Sequence, residues 1–572
     1  MSTSSPNPAP PGGPSARAGE RRLQTLPRDG TGEAPPTWRV VLPLSLVAGA
    51  AGALVVAGTR LGLTVGSDSV EFLVAARNLI AGRGLGLISP SGRLMPLRLH
   101  PPLYPLVLSA FRAAGLDSLD AGRWFNVGLM VGLVLLTGFA AFRLTRSLPI
   151  ALGIAALMGT WAPLIDVLLS ALSEPLFLFL GLVSIILLYR ATGRGRSSLT
   201  LALAGLMVGL TTITRYQGVA LLAAGATYLA MFGGGPWRAR AERVAGFIVI
   251  ATVPLLLWIG VLAIGFESSP GGIVIPGRAL WSTLAPFRIA LADLFWEWLP
   301  LSRLLPDPSY RAKLAWVGVG LLVFLGSVVL SLRQARGSTG TAERAPALRV
   351  GVLLAGVALA YAGLTAFAYA FRVPQPDLND RTLFPIAMGM TGAALAVLLL
   401  GLDSWLPRRT RLIASSIVLV AFIGLQLPET LALVNGSSQQ NGGLTGPGWR
   451  TSCTLEALDR LPPDIRLISN ETAAILLYRD VYPYEIPELE TRTRAPVDAP
   501  FGYGDHQAER LFQNHQAALV LFRTMIWDLD ALYHKDAEAR LEGMTSGLVV
   551  FADCADGTIY FPPPNSTPAS RN

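Results

Sequence analysis

The sequence is poor in charge: only 15% of its 572 residues are Asp, Glu, Lys or Arg, against about a quarter in soluble proteins. With 52% hydrophobic residues and a mean hydropathy of +0.49, that deficit excludes an ordinary soluble globule. Lysine is nearly absent, present only at Lys313 and Lys535, so arginine carries the formal charge of +9. Those arginines sit in short loops between apolar runs, a pattern of membrane orientation and not of nucleic-acid binding. Cysteine is scarce too. Cys453 and Cys554 both fall in the polar C-terminal segment. There they either close a disulfide on an oxidising side or remain unpaired small residues. Neither has a second cysteine or a histidine at ligand spacing, which disfavours a thiolate metal site. No internal repeat of fixed period is visible, and no cleavable leader precedes the first apolar run near Val40.

What is present in abundance is apolar run. Segments near the roughly 20 residues needed to cross a bilayer recur at about 39–60, 122–142, 148–166, 174–190, 198–214, 218–232, 245–265, 313–332, 349–371, 383–401 and 411–430. The expected fold class is therefore a polytopic α-helical membrane protein of about eleven transmembrane helices. Residues 1–37, rich in Pro, Gly, Ser and Arg, read as a disordered arm. Residues 38–432 read as the transmembrane domain, and 433–572 as a soluble α/β domain. In that tail Asp464–Ser469, Ala517–Phe522 and Gly547–Phe551 are expected strands, with a helix starting near Asn470-Glu471-Thr472.

Arginine placement orients the chain. Arg17, Arg21, Arg22 and Arg28, then Arg143 and Arg146, then Arg190, Arg194 and Arg196 fall on one side. So do Arg238, Arg240 and Arg243, then Arg333, Arg336 and Arg344, then Arg408, Arg409 and Arg411. The positive-inside rule puts the N-terminus in the cytoplasm. The outer side of a plasma or inner membrane then receives the loops 61–121 and 266–311 and the C-terminal segment.

Candidate chemistry gathers on that outer side. Asp68 opens an amphipathic stretch from Val70 to Ile80. It can cap the helix, with Glu71 completing a capping box, or act as a catalytic carboxylate, and the two roles are compatible. The apolar residues Phe72, Leu73, Ala76, Leu79 and Ile80 are expected to form one face lying on the bilayer. Arg98-Leu-His100-Pro101-Pro102 in the same loop is either a rigid turn touching headgroups or a cationic lining for a lipid phosphate. Glu174, in Ser-Glu-Pro, sits at a helix start, with Asp166 the nearby alternative acid. Arg215 and Arg381 oppose the orientation bias by lying at outer membrane boundaries. Arginine's planar fork suits phosphate oxygens. Asp380 precedes Arg381 as a supporting acid.

The segment Gly66-Ser-Asp68-Ser-Val-Glu71 through Arg77-Asn78 to Gly82-Arg-Gly84-Leu resembles the first outer loop of GT-C superfamily glycosyltransferases. The nearest branch is family 39 and the aminoarabinose-transferase-like proteins, related to dolichyl-phosphate-mannose protein mannosyltransferases. His100-Pro101-Pro102-Leu103-Tyr104-Pro105 is similar to the element after that loop's helix, and Thr214-Arg215-Tyr216 and Asp380-Arg381-Thr382-Leu383-Phe384-Pro385 to later loop motifs. The resemblance implies a polyprenyl-phosphate sugar donor, an acceptor hydroxyl on a glycan, lipid or protein, and inverting transfer at the outer face. It implies Asp68 as general base, Glu174 as second catalytic acid, and Arg215 and Arg381, then Arg98 and His100, on the donor phosphate. Glu71 and Asp380 would support. No cofactor is certain, a divalent cation being the candidate. Several members carry an Asp-Glu pair where this chain has Asp68-Ser69, so Glu71 is the substitute to test. Two other readings compete: a transporter or flippase for lipid-linked sugars, which would carry mid-span charges and related halves, and a non-catalytic envelope assembly or sensor protein.

Overall fold

The computed structural model describes residues 38–89, 92–193, 197–266, 273–274, 284–298, 306–318, 346–373, 376, 378–401, 407–439, 443–486 and 507–563. The expected N-terminal arm and most of the expected span 313–332 lie outside them. The described residues from Leu44 onward belong to one compact unit.

The chain is a multi-pass membrane protein. Its helices are α1 (Trp38–Gly58), α2 (Ser67–Ile80), α3 (Leu103–Ala113), α4 (Ser118–Thr145), α5 (Leu148–Gly159), α6 (Ala162–Leu168) and α7 (Glu174–Ala191). There follow α8 (Ser198–Thr212), α9 (Val219–Phe232), α10 (Trp237–Phe266), α11 (Ala285–Trp298), α12 (Pro346–Phe371), α13 (Asp380–Gly401) and α14 (Arg408–Gln439). Among the described residues six helices are long and apolar enough to cross a bilayer: α1, α4, α7, α10, α12 and α14. The pair α5–α6, bent by 54°, adds a seventh if it counts as one span and is otherwise a re-entrant loop. The shorter apolar helices are α3, α8 and a stretch ending with α9. The bend has a sequence cause. Gly159 ends α5 and Pro163 opens α6, where its missing N–H costs nothing. Buried Asn126 on α4 then donates to Leu168 O (2.9 Å) and Ser170 O (3.0 Å), satisfying carbonyls that α6 leaves open.

Small strands tie the loops. β1 (Gly86–Ile88) pairs antiparallel with β2 (Leu94–Pro96), and β3 (Ile273–Val274) with β4 (Arg372–Val373). The C-terminal segment forms a five-stranded sheet from β5 (Arg466–Ser469), β6 (Tyr484–Glu485), β7 (Ala517–Phe522), β8 (Val549–Cys554) and β9 (Gly557–Phe561), in the order β6-β5-β7-β9-β8. β5 is parallel to β6 and β7, whereas β9 runs antiparallel to β7 and β8. Helix α15 (Thr472–Arg479) follows β5, and α16 (Gln507–Gln513) precedes β7. Every residue of β7 is buried, as a central strand covered on both faces requires. Cys453 and Cys554 are joined in a disulfide, closing a loop across 101 residues.

One expectation about this segment needs correction. The last expected strand begins at Val549 instead of Gly547 and runs on to Cys554, because it continues into the hairpin with β9. Asn470, just after β5, is engaged by both ends of its amide. Its Nδ2 donates to Thr524 Oγ1 (2.9 Å) and its Oδ1 accepts from Phe522 N–H (2.9 Å).

Candidate active site at three helix starts

Helix α2 is set in place by the extended residues before it. Thr64 N–H donates to Leu169 O (2.9 Å), Ala171 N–H to Thr64 O (2.9 Å), and Leu444 N–H to Val65 O (2.8 Å). Thr445 Oγ1 donates to Leu63 O (3.0 Å). Held on both sides, the chain is still extended at Gly66 (φ −103°, ψ −172°), so Gly66 and not Asp68 is the N-cap. Ser69 Oγ, not the Glu71 carboxylate, accepts the Gly66 N–H (3.2 Å). This corrects the expected capping box: Asp68 lies inside the first turn, favoured there by the helix dipole, with its side chain available elsewhere. The expected bilayer face of α2 is corrected at Phe72 and Ala76, while Ile80 is exposed. Val70, Phe72, Val74, Ala75 and Ala76 are buried in protein, with Val70, Val74 and Ala75 packed with Leu63, Val65, Leu444, Ala474 and Leu476.

Asp68 meets Arg381. The Arg381 Nη2 donates to Asp68 Oδ2 at 2.7 Å. Arg381 also pairs through Nε with Glu174 Oε1 (3.1 Å), and the same oxygen lies 2.7 Å from Arg215 Nη1. Ser173 Oγ bridges the corner, donating to Glu174 Oε2 (3.4 Å) and accepting from Arg215 Nη1 (3.3 Å). Glu174 is only 7% exposed. On the other flank His100 Nε2 sits 3.7 Å from Asp68 Oδ1 and 3.5 Å from Glu71 Oε2. The connected set is Glu71, His100, Asp68, Arg381, Glu174 and Arg215.

Three helix N-termini create this set: Asp68 is in the first turn of α2, Glu174 in that of α7, and Arg381 in that of α13. Their partial positive ends meet at one place, which suits an anion. An arginine in a first turn works against the dipole, so Arg381 is held there by its two acids. Asn379 Oδ1 accepts Thr382 N–H (3.0 Å) to start α13, and Tyr361 donates to Thr382 O (3.1 Å) from α12.

The His100 ring is placed by its neighbours. It meets Phe72 edge-on at 4.8 Å, and Phe72 meets Tyr104 at 5.2 Å. After Pro101-Pro102, Leu103 N–H donates to Ile213 O (2.9 Å), joining this loop to the end of α8 beside Arg215. Tyr216 OH donates to Arg98 O (3.2 Å) and accepts from Trp258 Nε1 (3.0 Å). The backbone of Arg98 is thereby tied to Tyr216 and Trp258. Asp380 and the alternative acid Asp166 are both exposed. Sequence reasoning missed Ser173, Tyr216, Trp258 and Tyr361; for the first two the signal was adjacency to Glu174 and Arg215.

Titration differs sharply within the cluster. Burial pushes the Asp68 carboxyl up, but His100 and Arg381, including the hydrogen bond from Arg381, with Arg215 behind, hold it below its ordinary 3.8. Glu71 is pushed up to about 7, by burial first and by the charge of Asp68 second. Burial lowers His100 below 6.5, reinforced by Arg215 and Arg381 and opposed by Asp68 and Glu174. Near neutrality Asp68 is ionised, His100 is neutral and Glu71 is close to half-protonated.

Asp68, Glu71 and His100 have the donor types of a divalent-metal site. As arranged they do not fit one well, since the Arg381 guanidinium already occupies Asp68 at 2.7 Å and would repel a dication. Among the described residues, Cys453, Cys554 and Asp556 come within 4.8 Å of one another. Their thiols are consumed by the disulfide, while Asp556 is engaged by Ser452 and Thr454. No metal step is derived below.

No protein-family profile matches the chain, and no curated protein matches it by sequence. Solved structures do match. An oligosaccharyltransferase of Archaeoglobus fulgidus, in complex with Zn and sulfate, superposes at TM-score 0.50 with 12% identity, covering 91% of this chain and 74% of that one. The fold is GT-C. ArnT from Cupriavidus metallidurans, bound to undecaprenyl phosphate, matches at TM-score 0.45 and 14% identity over 92% of this chain and 98% of its own. The mycobacterial arabinofuranosyltransferase AftD matches at 0.48 and 16% over 91% and 42%. At 12% identity the likeness to the Archaeoglobus structure speaks for the fold alone, and activity has to be argued from the site.

Proposed function

We propose that this GT-C chain is a membrane glycosyltransferase. It moves a sugar from a polyprenyl-phosphate donor to an acceptor hydroxyl on a glycan, lipid or protein at the outer face, inverting the anomeric carbon. The observation that carries the reading is the convergence of three helix N-termini and two arginines on one spot beside an ionised aspartate. The Archaeoglobus protein of this fold is an oligosaccharyltransferase, which agrees with glycosyl transfer as the activity. The same reading has the N-terminus inside, residues 433–572 outside and about eleven spans.

Asp68 is the general base. It takes the proton of the acceptor hydroxyl as that oxygen attacks the anomeric carbon. The bond to phosphate breaks on the opposite face, and Arg215 and Arg381 take up the charge of the leaving lipid phosphate. Arg381 rests on Asp68 before the donor arrives. A phosphate between the arginines gives Arg381 a second anion and loosens its hold, so Asp68 regains basicity when the donor is in place. Glu174 serves as shared counter-charge of the two arginines. His100 and Glu71 steady the far side of Asp68, His100 and Arg98 are secondary phosphate ligands, and Asp380 supports the start of α13.

The test is transfer by purified protein from polyprenyl-phosphate sugars to cell-envelope acceptors. Asp68→Asn should lower the rate by about 10²–10⁴, the range a general base supplies, with the helical circular dichroism and donor binding retained. Undiminished transfer by this variant would remove Asp68 from the mechanism.

A further inference from the structure

Helix α2 is held at both ends and in the middle by one segment of chain nearly four hundred residues away. At its start, Leu444 and Thr445 donate to Val65 O and Leu63 O. In its middle, Val70 and Val74 pack with Ala474 and Leu476 of α15. At its end, Arg77 Nη2 donates to Leu476 O (3.3 Å) and to Asp480 Oδ1 (2.8 Å), and Arg83 Nη1 reaches Asp480 Oδ2 (3.4 Å). Asp480 is the C-cap of α15 in the left-handed region, φ +55°, a conformation that aspartate tolerates better than most side chains. Leu476 O belongs to the last turn of α15, whose carbonyls have no partner within the helix. A cation at that C-terminus is favourable, so Arg77 caps α15 while Asp480 fixes the arginine.

We infer that Asp480 is a positioning residue for the transfer site, an inference that rests on the function proposed above. The ion pair sits nine residues, about 13 Å of helix, from Asp68. Val70 and Val74 act as a fulcrum on α15 between them. Swinging the Arg77 end therefore moves Asp68 against Arg381 and Glu71 against His100. Arg77 and Asp480 are 30% and 40% exposed, and pairs this exposed contribute little to global stability. Geometry is what they set. The tail is thus joined to the helix that carries Asp68.

The experiment uses the full chain in lipid nanodiscs and the variants Asp480→Asn, Asp480→Glu and, as an exposed control, Asp464→Asn. Asp480→Asn should lower kcat about tenfold, less than the roughly hundredfold that a 1 Å misplacement can cost. The donor KM and the thermal midpoint should stay where they are. Asp480→Glu should recover most of the rate, and Asp464→Asn should leave it untouched. Hydrogen exchange gives a readout free of activity: amides 70–80 should exchange faster in Asp480→Asn than in the parent. Unchanged exchange together with unchanged kcat would overturn the inference, as would a fall in kcat matched by a fall in thermal midpoint without rescue by glutamate. If the parent protein transfers no sugar while Asp480→Asn still loosens amides 70–80, the proposed function fails and the clamp stands.

Discussion

Glu174 offers the sharpest perturbation of the proposed phosphate site. One carboxylate oxygen faces two guanidinium groups, at 2.7 and 3.1 Å, in a side chain only 7% exposed. Glu174→Gln keeps the shape and the hydrogen bond with Ser173 but deletes the charge. Unit charges about 3 Å apart attract by roughly 5–6 kcal/mol at an effective dielectric near 20, before the cost of desolvation. Removing one member of a buried pair typically costs about 3–5 kcal/mol, because the other charge is left uncompensated. Here Arg215 loses this carboxylate while Arg381 keeps Asp68, and both arginines are the ones expected to receive phosphate.

The cost should therefore be partly recovered when a lipid phosphate enters. If half returns on binding, the affinity for polyprenyl phosphate rises by about 1.5–2.5 kcal/mol, or roughly ten- to seventyfold. Three readings follow from one variant in nanodiscs. Without ligand its thermal midpoint falls. With polyprenyl phosphate the midpoint rises more than in the parent. In steady state kcat drops, because the product phosphate now leaves slowly, and the donor KM drops with it. A variant that binds polyprenyl phosphate no more tightly than the parent would refute the argument, and would return Glu174 to the role of second catalytic acid.

Two other changes report on the flanks. Glu71 carries a carboxyl raised to about 7, so its contribution to stability is whole below its ordinary 4.5 and is lost as the pH rises through 7. Above that pH it also adds negative charge beside Asp68, and kcat/KM for the anionic donor should fall. In Glu71→Gln that alkaline limb should flatten in a pH–rate profile, and a limb that stays at 7 would assign it to another group. Cys453→Ser opens a loop of 101 residues; native disulfides of this kind stabilise by about 2–5 kcal/mol. The variant should melt earlier by calorimetry, with a matching shift on reduction of the parent protein, and an unchanged midpoint would mean the bond contributes nothing.

The membrane helices were legible because a bilayer demands long unbroken apolar stretches: the expected segment 174–190 and the helix Glu174–Ala191 differ by one residue. In the tail, Ala517–Phe522 could be read as a strand from its continuous apolar run, whereas β6 has two residues and no pattern. The hairpin of β8 and β9 turns at Ala555-Asp556 with Gly557 already paired to Cys554, so its Asp-Gly dipeptide is out of register with the two central residues of a tight turn. In the site, topology was enough to put Asp68, Glu174, Arg215 and Arg381 on one side of the membrane. Their connections were not legible, because each depends on which helix starts meet. The bond from Arg77 to Asp480 spans 403 positions of sequence, and nothing local to either residue marks it.

Asp68 shows why local pattern and role separate. An Asp followed three residues later by Glu, before an apolar run, is the signature of a capping box, and that reading makes both carboxylates part of the helix. The structure gives the capping task to Gly66 and Ser69, because Thr64 and Val65 are bridged to Ser170 and Gly443 and keep the chain extended for one residue more. Gly443 has φ +82°, and a Cβ there would lie 2.5 Å from Val65 O, so only glycine permits that approach. A backbone contact made by the tail thus decides where α2 starts. The start of α2 in turn decides whether Asp68 spends its oxygens on amides or offers them to Arg381 and to the proposed acceptor.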